Sequence, residues 1–186
     1  MFYRYCAVMA TILLLASAWP ATAVSAQLEP EPLPEALRAD APAFELLGET
    51  RFRKYFFHVY DAFLWVPEDQ HWALDGEYAL DITYARDFEG EMLARSGREQ
   101  MAEIGVGDEA LRMEWYERMK GLFPDVSQGD RLIGWHRPGQ GAWFYYNDAL
   151  LDTVEDAAFG EAFFAVWLDQ RTSEPRMRRE LLGEQD

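Results

Sequence analysis

The hydrophobic positions from Phe44 onward change period along the chain. EYALDITYA, residues 77–85, alternates: Tyr78, Leu80, Ile82 and Tyr84 point one way, and Ala79, Asp81, Thr83 and Ala85 the other. A period of two predicts a half-buried strand. FELLGETRF reads as a strand, a turn at Gly48 and a second strand, and the aromatic run through residues 51–66 continues as β until Pro67 ends it. The period then lengthens. DFEGEMLARSGREQMAEIG places Phe88, Leu93, Met101 and Ile104 on one stripe and stops at Gly105, as a helix does. DEALRMEWYERMKGLFP starts at an Asp108 cap and puts Leu111, Trp115, Met119 and Leu122 on its inner face. DRLIGWH, RPGQG and AWFYYND read as a hairpin. TVEDAAFGEAFFAVWLD, with Thr153 and Asp156 as a capping box, is a deeply buried helix. TSEPRMRRELLG is a second helix, capped by Thr172 or Ser173, with Pro175 in its first turn. Strands, two helices, a hairpin and two more helices predict an α+β domain.

The beginning of the chain has a different pattern. Arg4, a compact apolar run and the small residues Ala21, Ala23, Ser25 and Ala26 predict a secretory signal peptide over residues 1–26. The apolar run falls short of the roughly 20 residues that span a bilayer. Residues 27–43 hold four prolines and read as an extended lead-in, which leaves residues 44–186 as the domain. Cleavage removes the single cysteine, Cys6, so the predicted periplasmic or secreted protein has no disulfide or thiol chemistry.

Charge and chemistry narrow the function. The formal net charge is −16, which argues against nucleic-acid partners and repels anionic headgroups. No serine lies in a G-x-S-x-G turn, the three histidines lack metal-ligand spacing, and no glycine-rich phosphate loop is present. We therefore assign no catalytic residue, metal or cofactor. The acids Asp148, Asp152, Glu155 and Asp156 suit a helix N-terminus. Against this background, Arg51, Arg53 and Lys54 open the aromatic run RFRKYFFHVYDAFLWVP. They are either protective edge charges or the receiver of an anion whose tail lies in the sheet.

G-x-x-R-F-R-K-Y-F-F-H-V-Y-D-A-F-L-W-V-P from Gly48, L-x-I-x-Y-x-R-D from Leu80, G-D-R-L from Gly129, F-x-x-A-F-F-A-V-W-L-D from Phe159 and L-L-G from Leu181 together resemble bacterial chalcone isomerase-like proteins. The resemblance covers residues 44–183. It implies an open-faced sandwich, a large antiparallel sheet with helices packed on one face and ligands in the cleft between. The superfamily holds plant enzymes that cyclise chalcones and plastid relatives that bind fatty acids through an arginine and a tyrosine. On that resemblance Arg51, or else Arg53, matches the family arginine, and Tyr60 is its nearest partner. Where the enzymes carry a threonine, this chain runs Tyr55, Phe56, Phe57.

The first expectation is thus a non-catalytic binder of a small apolar or aromatic anion such as a fatty acid. Arg51 would clamp the acid, and Phe56, Phe63, Trp65 and Phe163 would line the cleft. One alternative is an isomerase or lyase using Tyr60 or His58. Another is an interaction module whose cleft is filled by its own aromatics.

Overall fold

The computed structural model describes residues 29–184. The expected signal segment lies outside them. Six strands run β1 Phe44–Lys54, β2 Phe57–Pro67, β3 Tyr78–Tyr84, β4 Arg131–Arg137, β5 Gly141–Tyr146 and β6 Ala149–Val154. They form one sheet in the order β1-β2-β3-β4-β5-β6, each pair antiparallel. The helices are α1 Glu35–Asp40, α2 Gly90–Glu103, α3 Glu109–Leu122, α4 Ala157–Leu168 and α5 Pro175–Leu181.

Alternation divides the sheet into two faces. Tyr60, Ala62, Leu64, Tyr78, Leu80, Ile82, Tyr84, Leu132 and Phe144 face α2 to α5 and form the main core with Trp115, Met119, Phe159, Phe163 and Phe164. We call this the inner face. On the outer face Ala79, Ile133, Trp135 and Tyr145 pack against Leu33 and Leu37 of the N-terminal segment. The lead-in is therefore not simply extended: it forms α1, and Leu37 is fully buried. Its apolar leucines cover sheet surface that the other helices leave bare.

β3 is correspondingly covered on both sides. Asp81, expected on a half-exposed face, is buried beside Arg131. The Arg131 guanidinium donates from Nε to Asp81 Oδ1 at 2.9 Å and from Nη2 to Asp81 Oδ2 at 2.7 Å. It also donates to the Pro32 carbonyl at 3.0 Å and the Glu31 carbonyl at 3.1 Å, and so ties the lead-in to the sheet.

Further expectations are corrected. Gly48 makes no turn; it lies within β1 at an irregularity in the β1–β2 register. A Cβ there would strike the carbonyls of Glu180 and Leu181, so the glycine lets α5 lie on the strand. The aromatic run is not one strand, since Tyr55 and Phe56 form the turn between β1 and β2. Thr153 belongs to β6, and Asp156 alone caps α4, accepting from Ala158 N at 3.0 Å and Phe159 N at 3.2 Å. The β5–β6 connection turns at Asn147 and Asp148, both at positive φ, which permits a third strand where a helix lead was read. The N-cap of α5 is Glu174; Thr172 instead donates to the Val166 carbonyl at 2.8 Å.

Candidate functional site

A cavity of about 420 Å³ lies between the inner face and the helices. β1, β2 and β3 supply Phe52, Val59, Tyr60, Ile82 and Tyr84; α2 supplies Met92, Leu93 and Gly97; α4 and α5 supply Phe163, Trp167 and Met177. The lining is mostly apolar, as small-molecule sites are, and the size falls within their usual range of roughly 300–1,000 Å³. The glycines of α2 let this helix lie close against α3 and the residues that follow it. Gly90 and Gly97 are buried seven residues apart, and a Cβ on Gly97 would come within 3.2 Å of Met119 Sδ.

Two tyrosines give the cavity its polar character. Trp167 Nε1 donates to the Tyr60 hydroxyl at 3.0 Å, and that hydroxyl donates to Met177 Sδ at 3.2 Å. Phe52 stacks on the Tyr60 ring at 5.0 Å, and Tyr84 meets it edge-on at 6.4 Å. The Tyr84 side chain is buried, yet its hydroxyl has no hydrogen-bond partner among the described residues. Burial pushes both phenols well above their ordinary value, although the Trp167 hydrogen bond opposes this at Tyr60. At neutral pH both are O–H groups, able to donate a proton to a hydrogen bond and unsuited to abstract one. At the rim, Lys54 Nζ is 2.8 Å from Glu174 Oε1, and Gln100 Nε2 donates to Ser96 Oγ at 3.0 Å. The Glu174 hydrogen bond holds the Lys54 ammonium above its ordinary range.

The sequence-expected residues separate into three groups. Tyr60 and Phe163 line the cavity. Arg51, Phe63 and Trp65 do not, because they alternate with inward-facing neighbours: Phe52 flanks Arg51, and Ala62 and Leu64 flank Phe63. Arg51 is 41% exposed and donates from Nε to Asp61 Oδ1 at 2.8 Å and from Nη2 to Oδ2 at 3.2 Å. It is a surface ion pair on the outer face and does not clamp a ligand in this cavity. Arg53 is exposed on β1, and Phe56 stands 96% exposed in the turn. His58 is likewise engaged outside, with Nε2 2.9 Å from Asp61 Oδ1.

Sequence reasoning missed Tyr84, Trp167 and Met177 as site residues. The alternation of β3 already put Tyr84 on the Tyr78 face; what it could not show was an unfilled volume beside it. Lys54 was visible only as scarce positive charge.

With this geometry established, similarity to known proteins becomes informative. The model of the chalcone isomerase-like family matches residues 26–183. The chain belongs to the chalcone isomerase-like family. An uncharacterized protein of Haemophilus influenzae is 27% identical over 137 residues, covering 74% of this chain and 67% of its own length. The crystal structure of an Arabidopsis thaliana fatty-acid binding protein superposes with a TM-score of 0.55 at 8% identity, covering 75% of this chain and 87% of that one. At that identity the likeness concerns the fold: six antiparallel strands, one face open to helices, in the α+β arrangement that the element order predicted.

Proposed function

We propose that this family member is an exported carrier that binds a fatty acid or a similar apolar anion in the cavity between sheet and helices, without converting it. The observation that carries the reading is an apolar cavity of about 420 Å³ lined by Tyr84, whose protonated hydroxyl has no hydrogen-bond partner among the described residues. A phenol O–H that faces open cavity space is available to a ligand oxygen, which would accept from it. Tail burial would supply affinity at about 0.8 kcal/mol per methylene, so roughly ten buried methylenes suffice for micromolar binding. The acid group would accept from Tyr84, in place of the clamp first expected at Arg51.

The structure of a fatty-acid binding protein with this fold supports the choice of ligand class. The protonated state of Tyr60 and Tyr84 favours holding over enolisation. Export rests on the pattern of residues 1–26 alone.

Competition between a fluorescent fatty acid and palmitate tests the site. We expect micromolar affinity that drops more than tenfold in Leu93→Trp, which fills the cavity. Unchanged binding in that variant would place the ligand elsewhere. Native mass spectrometry of protein taken from the periplasm tests the rest: the expected species starts at Gln27 and carries an apolar acid.

A further inference from the structure

The turn between β1 and β2 presents an unusual surface. Tyr55 is 87% exposed, Phe56 96% and Phe57 60%, three successive aromatics with little cover. Tyr55 holds φ at +56°, a conformation that bulky side chains seldom adopt and that a two-residue hairpin turn normally gives to glycine. The chain accepts this strain and places an aromatic at the apex. Strain kept at an exposed apex motivates a search for function.

Charge around the tip contrasts with the rest of the molecule. In a chain of formal charge −16, Arg53 precedes the three aromatics and Arg86 packs on the last of them, while Lys54 is paired with Glu174. Arg86 lies over the Phe57 ring at 4.8 Å from its centroid. Arg53 has no ion pair among the described residues, whereas the neighbouring acids Asp61 and Glu174 are engaged by Arg51 and Lys54. The tip also borders the cavity: Lys54, next to the turn in sequence, is among the cavity's lining residues.

We propose that the β1–β2 tip docks on a bilayer containing anionic lipid, with Tyr55 and Phe56 in the interface and Arg53 and Arg86 on the headgroups. Aromatic rings among basic side chains are the composition that binds such an interface. The acidic remainder does not prevent it, since at about 0.15 M salt charges beyond roughly 8 Å are largely screened and the local cations decide. The inference builds on the carrier reading, because docking would bring the cavity mouth to the source of an apolar acid. It stands on independent residues.

Partition of the full chain into vesicles of phosphatidylcholine with phosphatidylglycerol, against phosphatidylcholine alone, gives the test. The ratio of the two cancels apolar contributions from elsewhere in the chain, which do not sense headgroup charge. We expect a ratio of at least about ten at roughly 0.15 M salt, falling towards one in Arg53→Gln with Arg86→Gln. Phe56→Ser, at a fully solvated position, should weaken binding to the anionic vesicles about tenfold while leaving the melting temperature unchanged. A wild-type ratio near one, or equal partition by Phe56→Ser, overturns the proposal. So does self-association in sedimentation that Phe56→Ser abolishes without vesicle binding, which would make the occupant a second copy. Binding of the fluorescent fatty acid in vesicle-free buffer reports the cavity separately: its loss would sink the carrier reading and leave the docking result standing.

Discussion

The two faces of the sheet treat polar groups in opposite ways. On the outer face, Arg51 and Arg131 each meet an aspartate on a neighbouring strand, and both bonds are two-pronged. On the inner face, the Tyr60 hydroxyl is shared with Trp167 and Met177, and the Tyr84 hydroxyl has no partner among the described residues. A chain with 33 acidic and 17 basic residues supplies carboxylates to most arginines within reach. An arginine already gripped by a resident carboxylate offers little to a ligand carboxylate. Spare hydrogen-bonding capacity lies instead among the phenols, where an apolar ligand would also find room.

The faces also differ in what the same bond is worth, and the largest expected effect lies there. Arg131→Ala strips the buried Asp81 of its counter-charge and should cost about 3–5 kcal/mol in urea unfolding. A loss below about 1 kcal/mol would mean that water reaches Asp81. Inside the cavity, Tyr60→Phe leaves the Trp167 N–H without its acceptor and should cost about 1–3 kcal/mol of stability. Tyr84→Phe removes a hydroxyl with no partner, so stability should hold while affinity for the fatty acid falls roughly three- to tenfold. If the two substitutions behave alike, the distinction between a structural and a ligand-facing phenol fails.

Acidity probes the inner face through His136. Its ring is buried between Tyr78 and Phe164, with Nδ1 2.6 Å from the Gly76 carbonyl. Burial lowers its pKa, against the opposing pull of the Gly76 carbonyl. The unfolded chain therefore takes up this proton more readily than the folded one. The His136 contribution is complete above the unfolded value, about 6.5, and declines as pH falls below it. His136→Gln, which keeps a donor for Gly76, should lose stability less steeply than the wild type between pH 7.5 and pH 5. Parallel pH profiles would refute the assignment. The smallest effect is expected on the outer face. Arg51→Ala should cost no more than about 1 kcal/mol, as exposed pairs do, and leave fatty-acid affinity unchanged. A tenfold loss of affinity there would restore the arginine clamp.

Much of the fold was legible because its signals are local. The alternation of β3 and the stripe of α3 named their buried faces correctly: Tyr78, Leu80, Ile82 and Tyr84 for one, Trp115, Met119 and Leu122 for the other. Aromatic content obscured the turn at Tyr55 and Phe56, where no glycine, proline or asparagine marks it. β6 was hidden because ALLDTV lies directly before a helix whose cap it seemed to share. The site was less legible. Phe52 between Arg51 and Arg53 already implied that the two arginines share the face opposite to Phe52, and the family resemblance drew attention away from that parity.

From its order of residues alone, the chain determined an α+β domain, the faces of its regular elements and its kinship with the chalcone isomerase-like proteins, since period and motif spacing are properties of neighbouring residues. Tertiary structure decided which cation is free, which phenol lacks a partner and where space remains. Those depend on register and on helix approach: Asp61 opposite Arg51, Asp81 on the strand next to Arg131, and Gly97 of α2 against Met119 of α3. Pairing across strands and unfilled volume are non-local, and no window of sequence contains them.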